Sequence, residues 1–314
     1  MSTELAIGVD IGGTKIAFAL VDAAGHVVQE QRVLTNPDDG VSAVLDRIAE
    51  GIRQLILEAG SRVIGIGIGC PGIVDPAGGV VRNAVNLRWE NVSLRDGIQR
   101  RLRSKVPVYV HRDGNALTLG EWMFGAAKNT QDYVLLAIGT GLGMGAISGG
   151  RLLLGSRALA LEMGHISLNP QGRLCACGLK GCPEMAASGM GLMAAAREYL
   201  PAYPTSSLQQ VAHPTTGDII IAAQQHDPMA LRIIDEATDT LAYVMTLCSV
   251  ALAPELYVIG GGLGTALYDL MQPNLIPRVQ QRTLATLHDT LKIVPAQISS
   301  SAIGAAALVW YHTP

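Results

Sequence analysis

The chain contains two similar stretches in which an apolar run meets a glycine turn and a second apolar run follows. In the first, Gly12 and Gly13 follow a run that begins at Leu5. In the second, the turn 139–141 follows a run that begins at Tyr133, about 125 residues further along. A strand, a tight glycine turn and a second strand form a hairpin. Two such hairpins predict an internal duplication.

The first turn carries groups that can bind phosphate. Asp10, Thr14 and Lys15 bring a carboxylate, a hydroxyl and an ammonium to its mouth. The amides of Gly12 and Gly13 can approach phosphate oxygens closely, and Asp10 could hold Mg²⁺ directly or through water. An ordinary hairpin is the alternative, but two such turns could hold a polyphosphate from both sides. The Gly-x-x-x-x-Gly-Lys-Ser/Thr pattern of a P-loop is absent.

A histidine and three cysteines cluster in the segment 162–184. Three thiols and one imidazole complete a tetrahedral set for zinc and leave no position for water, which predicts a structural metal. Disulfides and buried thiols are the alternatives; the N-terminus lacks the pattern of a signal peptide, which favours a reducing compartment and a metal. The carboxylates of Glu162 and Glu184 would then be free to face something else. The predicted ligands are His165, Cys175, Cys177 and Cys182.

Other candidate positions follow strands, where open α/β sheets bind ligands. The strand at 63–69 has glycine at alternate positions, so something is expected to pack closely on one face before the loop that ends at Gly72. Asp113 stands where a strand meets a helix and could act on a ligand or contribute only to helix capping. The turn 260–262 could let a nucleobase or ribose lie against bare backbone. The polar segment 83–89 could form a ligand wall or a surface loop.

Composition excludes several classes of protein. A chain of 314 residues is long enough for one large domain or, more often, two. Hydrophobic residues make up 49% and charged residues 16%, which provides a sizeable core and argues against disorder. A net charge of −3 argues against a nucleic-acid or anionic-membrane surface. Of the two uncharged segments, residues 133–150 are interrupted by glycine and residues 240–254 are too short to span a bilayer, so we expect a soluble, cytoplasmic protein.

The motifs occur along nearly the whole chain in a fixed order. They are Val9-Asp10-Ile-Gly-Gly-Thr-Lys, Gly67-Ile-Gly-Cys-Pro-Gly72, Asp113-Gly-Asn115, Ile138-Gly-Thr-Gly141, Glu-x-Gly-His … Cys-x-Cys-Gly-x-x-Gly-Cys-x-Glu between 162 and 184, and Ile259-Gly-Gly-Gly262. In kind and order they resemble the ROK family (repressors, open reading frames and sugar kinases). The cysteine-containing segment is the most specific part of the resemblance.

The resemblance implies an α/β, actin-like ATPase (ribonuclease H-like) fold with two domains around a cleft. On that pattern, residues 1–113 and about 300–314 form the N-terminal domain. The C-terminal helix packs back onto this domain. Residues 114–299 form the C-terminal domain with the zinc-binding loop. The family's habit also implies a dimer or tetramer.

The activity implied is that of an ATP-dependent sugar kinase that phosphorylates the 6-hydroxyl of a hexose, with Asp113 as general base. ATP·Mg²⁺ would lie between the two turns, with adenosine against the third, and zinc would brace the sugar-binding loop. The implied substrate-binding residues are Gly72, Asn86, Arg112, Asp113, Glu162, His165 and Glu184. The implied cofactor-binding residues are Asp10, Gly12, Gly13, Thr14, Lys15, Gly139, Thr140, Gly141, Gly260, Gly261 and Gly262.

Several alternatives remain open. Sugar kinases that resemble this chain usually have Asn before the catalytic Asp; here it is Arg112, which keeps an N-acetylhexosamine or allose possible as substrate. Polyphosphate could replace ATP as donor, although the turn 260–262 favours a nucleotide. A sugar-binding regulator of this family carries a helix-turn-helix before the first hairpin. Because the hairpin begins at Leu5, we expect an enzyme without a nucleic-acid partner.

Overall fold

The computed structural model describes residues 4–287 and 291–313 of the chain. Strands and helices are numbered along the chain. The strands are β1 (Leu5–Ile11), β2 (Lys15–Asp22), β3 (Val27–Leu34), β4 (Val63–Cys70), β5 (Ile73–Asp75), β6 (Val80–Ala84), β7 (Trp89–Ser93), β8 (Val108–Arg112), β9 (Tyr133–Ile138), β10 (Leu142–Ser148), β11 (Arg151–Leu152), β12 (Leu256–Gly260) and β13 (Lys292–Pro295). The helices are α1 (Val41–Ala59), α2 (Leu94–Leu102), α3 (Asp113–Phe124), α4 (Glu184–Ala187), α5 (Gly189–Tyr199), α6 (Thr216–Gln224), α7 (Pro228–Leu252), α8 (Gly262–Gln280) and α9 (Ser301–His312).

The chain forms two compact units whose bounds differ from the predicted boundary at residue 113. The first unit extends to Asn129 and also takes in Arg151–Ala160 and the chain from Gln297 onward; the second comprises Thr130–Gly150 and Leu161–Ala296. Helix α3 belongs to the first unit because it packs on α9. A Cβ built on Gly120 of α3 would stand 2.6 Å from the Cα of Gly304 in α9.

A buried carboxylate on α3 fixes the segment before α9. Glu121 is fully buried, and its Oε1 accepts hydrogen bonds from the backbone N–H groups of Gln297 and Ile298, each at 2.9 Å. Its Oε2 accepts from the N–H of Ala126 at 2.7 Å. A buried charge is costly unless it is hydrogen-bonded, and these three bonds offset that cost. The C-terminal segment is therefore held directly against α3.

The main sheet of the first unit has the strand order β3-β2-β1-β4-β8. Strand β1 pairs antiparallel with β2 and parallel with β4, and β4 pairs parallel with β8. The central strands are apolar because both faces are covered, by α1 and α2 on one side and α9 on the other. A Cβ on Gly8 or Gly67 would stand 1.8 Å from the carbonyl oxygen of Ala302 or Ala305. The close neighbour predicted for the glycine-rich strand is therefore α9.

The second unit repeats this arrangement. In its sheet, β10-β9-β12-β13 follow the same order as β2-β1-β4-β8 in the first unit. Strands β9 and β10 form an antiparallel hairpin, and β12 runs parallel to both β9 and β13. The predicted duplication is confirmed at the level of topology. In each unit a glycine turn joins the hairpin strands at the carboxyl end of the central strand.

Asp227 caps α7: its side chain accepts from the N–H groups of Met229 and Ala230, and Pro228 occupies the first helical position. Across residues 4–287 and 291–313, none of the helices has both the length and the apolarity needed to cross a bilayer.

Candidate active site

The β1–β2 turn is held in shape by a threonine that sequence reasoning did not identify. The N–H of Gly12 donates to the carbonyl of Lys15 at 2.9 Å, and a Cβ on Gly12 would meet that same oxygen at 2.9 Å. Thr35 is buried; its hydroxyl donates to the carbonyl of Gly12 at 2.7 Å and its N–H to that of Thr14 at 2.9 Å. The side chains of Thr14 and Lys15 are exposed at the turn.

Two predicted carboxylates, Asp10 and Asp113, meet at the carboxyl ends of β1 and β8. Gly69 lies between them in β4, and a Cβ on it would stand 3.5 Å from both the Oδ1 of Asp10 and the Cα of Asp113. The hydroxyl of Ser301, at the start of α9, donates to Asp10 Oδ2 at 2.5 Å. Loss of hydration raises the pKa of Asp10 to about 6; the Ser301 bond opposes this rise and the charge of Asp113 adds to it.

Asp113 is the first residue of α3, and the N-cap is Arg112. The Asp113 side chain keeps an exposed surface, and its Oδ1 accepts from the N–H of Gly114 at 2.7 Å. The surrounding protein displaces water and raises the pKa of Asp113, while the Gly114 bond and the charge of Arg112 act in the opposite direction. A carboxylate with a raised pKa is a better proton acceptor. Asp113 therefore has both the access and the basicity that a general base needs.

Three predicted substrate-binding residues lie in the same unit. Arg112 is buried, which lowers its pKa, and its Nη2 donates to the carbonyl of Ala160 at 3.4 Å. Gly72 has φ +88°, and a Cβ there would stand 2.1 Å from the carbonyl oxygen of Asn83, so its backbone requires glycine. Asn86 is exposed beside the first turn, where a Cβ on Gly13 would meet the Asn86 Cβ at 3.3 Å.

The four predicted zinc ligands converge in the second unit. One ligand atom from each of the four residues lies within 4.8 Å of every other. The Nδ1 of His165 is 3.6 Å from the Sγ of Cys175, and the Sγ atoms of Cys177 and Cys182 are also 3.6 Å apart. Tetrahedral zinc with bonds of about 2.3 Å to sulfur separates its ligands by roughly 3.8 Å. The donor set and its spacing therefore fit zinc, and all five cysteines are free thiols.

Glu184 lies between the zinc ligands and the second glycine turn. It is buried at the start of α4; its Oε2 accepts from the N–H of Leu142 at 3.1 Å, and its Oε1 lies 3.7 Å from the Sγ of Cys175. A Cβ on Gly141 would stand 2.5 Å from Oε2, so the glycine makes room for the carboxylate. Glu184 thus lies outside the set of four candidate zinc ligands, and an ionised carboxylate that accepts from Leu142 can still accept further hydrogen bonds.

Glu162 and His165 lie together at one short turn. Glu162 is exposed and precedes the turn Met163–His165, and its carbonyl accepts from the N–H of His165 at 3.1 Å. Because Nδ1 of His165 faces the thiols, Nε2 is on the opposite side of the ring. The imidazole can thus serve a metal and a second ligand at once.

The turns 139–141 and 260–262 are neighbours because β9 and β12 pair in parallel, with Gly260 opposite Ala137. Gly261 has φ +80°, and a Cβ on it would stand 2.3 Å from the carbonyl oxygen of Ile138. In contrast, a Cβ on Gly139 or Gly262 would meet nothing within 4 Å. The amino-terminal end of α8, which favours anions, therefore opens beside bare backbone.

Backbone hydrogen bonds from α5 also hold the turn 139–141 in place. The carbonyl of Gly139 accepts from the N–H of Gly189 at 2.9 Å, and that of Thr140 accepts from the N–H of Met190 at 3.2 Å. Within each unit the structure thus groups the predicted residues. Asp10, the first turn, Asn86, Arg112 and Asp113 belong to the first unit; the other two turns, Glu162, Glu184 and the zinc ligands belong to the second.

Comparison with known proteins extends this result. The model of the ROK family matches residues 6–311. A glucokinase of Thermotoga maritima is 34% identical over 310 residues, which cover 96% of each chain. The crystal structure of a ROK family glucokinase from Streptomyces griseus in complex with glucose and AMPPNP is 32% identical, with a TM-score of 0.82, and the match covers 97% of this chain and 98% of that one.

A regulator is also similar to this chain. The crystal structure of a ROK family transcriptional regulator, a homolog of the E. coli MLC protein, is 27% identical with a TM-score of 0.87. The match covers 98% of this chain and 78% of the regulator. Together with the glucokinase structure, it confirms the predicted actin-like fold with two domains.

Proposed function

This chain belongs to the ROK family, and from that premise we propose that it is an ATP-dependent kinase that phosphorylates the 6-hydroxyl of a hexose. The observation that carries the proposal is the meeting of Asp10 and Asp113 at Gly69, where β1, β4 and β8 end. A carboxylate with raised pKa beside a phosphate-binding turn suits proton removal coupled to phosphoryl transfer. Glucokinases at 32–34% identity over most of the chain support glucose as the first substrate to test.

Asp113 has the role of general base in this proposal. It takes the proton of the 6-hydroxyl as the sugar oxygen attacks the γ-phosphorus, and the bond from phosphorus to the β-phosphate oxygen breaks. The charge of Arg112 opposes the rise in the pKa of Asp113 that burial causes, and so favours the ionised carboxylate. Asp10 would hold Mg²⁺, which neutralises phosphate charge when bound. The amide of Gly13, with Thr14 and Lys15, would bind and orient the phosphates. Gly12, whose own N–H donates to the carbonyl of Lys15, would let them approach its bare backbone.

Nucleotide and phosphate binding in the second unit are assigned to the two adjacent glycine turns. Gly139, Thr140 and Gly141 would contact phosphate, and Gly260, Gly261 and Gly262 would contact adenosine. The open space at Gly139 and Gly262 supports this assignment. It favours ATP over polyphosphate, because a linear polyphosphate has no base or ribose to lie against Gly262.

Sugar selection is assigned to fixed acceptors and donors around the hydroxyls. Glu162 and Glu184 would accept hydrogen bonds from the ring hydroxyls, and the Nε2–H of His165 would donate one. Gly72, Asn86 and Arg112 of the first unit are further candidates for contacts to the sugar. His165, Cys175, Cys177 and Cys182 would hold zinc, which when bound makes their loop rigid. Arg112 in place of asparagine keeps N-acetylhexosamines and allose as the second substrates to test.

A sugar-binding regulator is the second candidate, favoured by the similarity to a ROK transcriptional regulator. Such a protein would bind the same sugars without turnover. The two functions differ at Asp113, which only a kinase needs. We also propose that the kinase is cytoplasmic and forms a homodimer or a homotetramer.

The test compares donors and acceptors in one assay. ADP release is measured with ATP and glucose, then with 6-deoxyglucose, N-acetylhexosamines and allose, and the sugar product is identified by phosphorus NMR. Inorganic polyphosphate then replaces ATP with glucose as acceptor. We expect turnover with ATP and a sugar that has a 6-hydroxyl, and none with 6-deoxyglucose. Phosphorylation of 6-deoxyglucose would exclude the 6-hydroxyl as the acceptor, and sugar binding without any turnover would support the regulator.

A further inference from the structure

Arg173 lies in the loop between His165 and Cys175 and uses all five N–H donors of its guanidinium. Two of the acceptors are the carboxylate oxygens of Glu236 on α7, Oε1 at 2.7 Å from Nη1 and Oε2 at 3.2 Å from Nη2. The remaining acceptors are Glu198 Oε2 at 2.6 Å, the hydroxyl of Tyr199 at 3.3 Å and the carbonyl of Met185 at 3.0 Å. The Arg173–Glu236 ion pair is therefore bidentate. It is largely shielded from solvent, since the exposed fraction is 15% for the Arg173 side chain and 25% for that of Glu236.

The bond to Met185 connects this ion pair to the candidate active site. Met185 follows Glu184 in α4, a helix of one turn that cannot hold its own position by length. Glu184 in turn accepts from the N–H of Leu142, directly after the turn 139–141. The backbone of Arg173 also contributes, since its carbonyl accepts from the N–H of Gly181 at 2.9 Å. A continuous set of bonds thus runs from Glu236 through Arg173 to Glu184 and the turn.

Among the residues that the structure describes, none of the hydrogen-bond partners of the Arg173 side chain is a side chain of the four candidate zinc ligands. We propose that Arg173, fixed by Glu236, is a positioning residue that holds Glu184 and the turn 139–141 in place independently of the metal. Its role in sugar selection rests on the proposed function; its role in fixing the turn does not. Arginine is required because lysine cannot supply two parallel donors to one carboxylate while also reaching Glu198 and Met185.

The test measures the turn first and activity second. Hydrogen exchange at the Leu142 amide is compared in the zinc-loaded protein and in Arg173→Met, Arg173→Lys and Glu236→Gln. We expect Leu142 to exchange about fivefold faster in each variant, the change that loss of roughly one ordinary hydrogen bond produces. Arg278→Met is the matched control, because the ion pairs described for Arg278 are with Asp235 and Asp239 on the same helix α7 and not with the zinc loop or Glu184. Its Leu142 exchange should equal that of the wild type.

Steady-state kinetics then distinguish a displaced Glu184 from a general loss of structure. We expect the KM for sugar to rise about tenfold in Arg173→Met and Glu236→Gln, as for other residues that orient a ligand-binding group, while zinc content stays near one per chain. The double variant should be no worse than either single variant, because both remove the same pair. Unchanged Leu142 exchange in zinc-loaded Arg173→Met and Glu236→Gln would overturn the inference. Faster exchange in a protein that phosphorylates no sugar would uphold it and reject the kinase.

Discussion

Buried polar residues of the first unit show how much local structure depends on single side chains. His111 is 2% exposed and lies on β8, the strand before Asp113, and its Nε2 lies 3.1 Å from the Nε2 of His312 in α9. Burial lowers the pKa of His111 to about 3, and the neighbouring charges of His312 and Arg95 contribute to the shift. The His111 ring is therefore held neutral, and the ring of His312 stacks on that of Tyr109.

This neutral histidine predicts a specific loss of stability in acid. In the unfolded chain His111 binds a proton below its ordinary pKa of 6.5. In the folded chain it does not bind this proton until the pH falls to about 3. The free energy of unfolding should therefore fall as pH drops from 6.5 towards 3, with a slope from this group of up to about 1.4 kcal/mol per pH unit. Urea denaturation of His111→Gln at pH 7, 6 and 5 should show a shallower decline than the wild type.

The exposed His213 supplies the control for that measurement. His213→Gln replaces an imidazole that is exposed to solvent, and its urea denaturation is measured at the same three pH values. If the free energy of unfolding depended on pH equally in His111→Gln and in the wild type, His111 would not have a lowered pKa in the folded chain.

At the scale of elements, the loop 162–184 is predicted to depend on its metal. Cys177→Ser should lower zinc content below about one per chain and reduce stability, because serine is a poor zinc ligand. Cys248→Ser, at a buried thiol in α7 outside the cluster, should lose stability but keep its zinc. Metal analysis and thermal denaturation of both variants check this expectation. Full zinc content in Cys177→Ser would remove that residue from the ligand set.

The turn 260–262 offers a pair of glycines that separates folding from binding. Gly261→Ala should destabilise the protein by about 1–3 kcal/mol, since the residue has φ +80° and the new Cβ would meet the carbonyl oxygen of Ile138. Gly262→Ala should leave stability within about 0.5 kcal/mol, because its Cβ would enter open space. If adenosine lies there, Gly262→Ala should still raise the KM for ATP. An unchanged KM in Gly262→Ala would place the adenosine elsewhere.

The whole molecule shows which features the sequence could predict. The hairpins, the cap at Asp227 and the zinc ligands were predictable because each is encoded within a short stretch. Ser301 contacts Asp10 across 291 residues and Glu236 contacts Arg173 across 63, so no local pattern indicated either partner. The unit boundary was misplaced for the same reason, since Glu121 joins α3 to a segment 176 residues later. The sequence therefore did not predict hydrogen bonds and ion pairs between residues that are far apart along the chain.

The most direct test of the whole account is the turnover number of Asp113→Asn with ATP and the best sugar, compared with the wild type. Asparagine keeps the size of the side chain but cannot take the proton, so kcat should fall by about 10²- to 10⁴-fold. Sugar affinity and thermal stability should stay near the wild-type values. A wild type that phosphorylates no hexose, or an Asp113→Asn variant that turns over at the wild-type rate, would contradict the account.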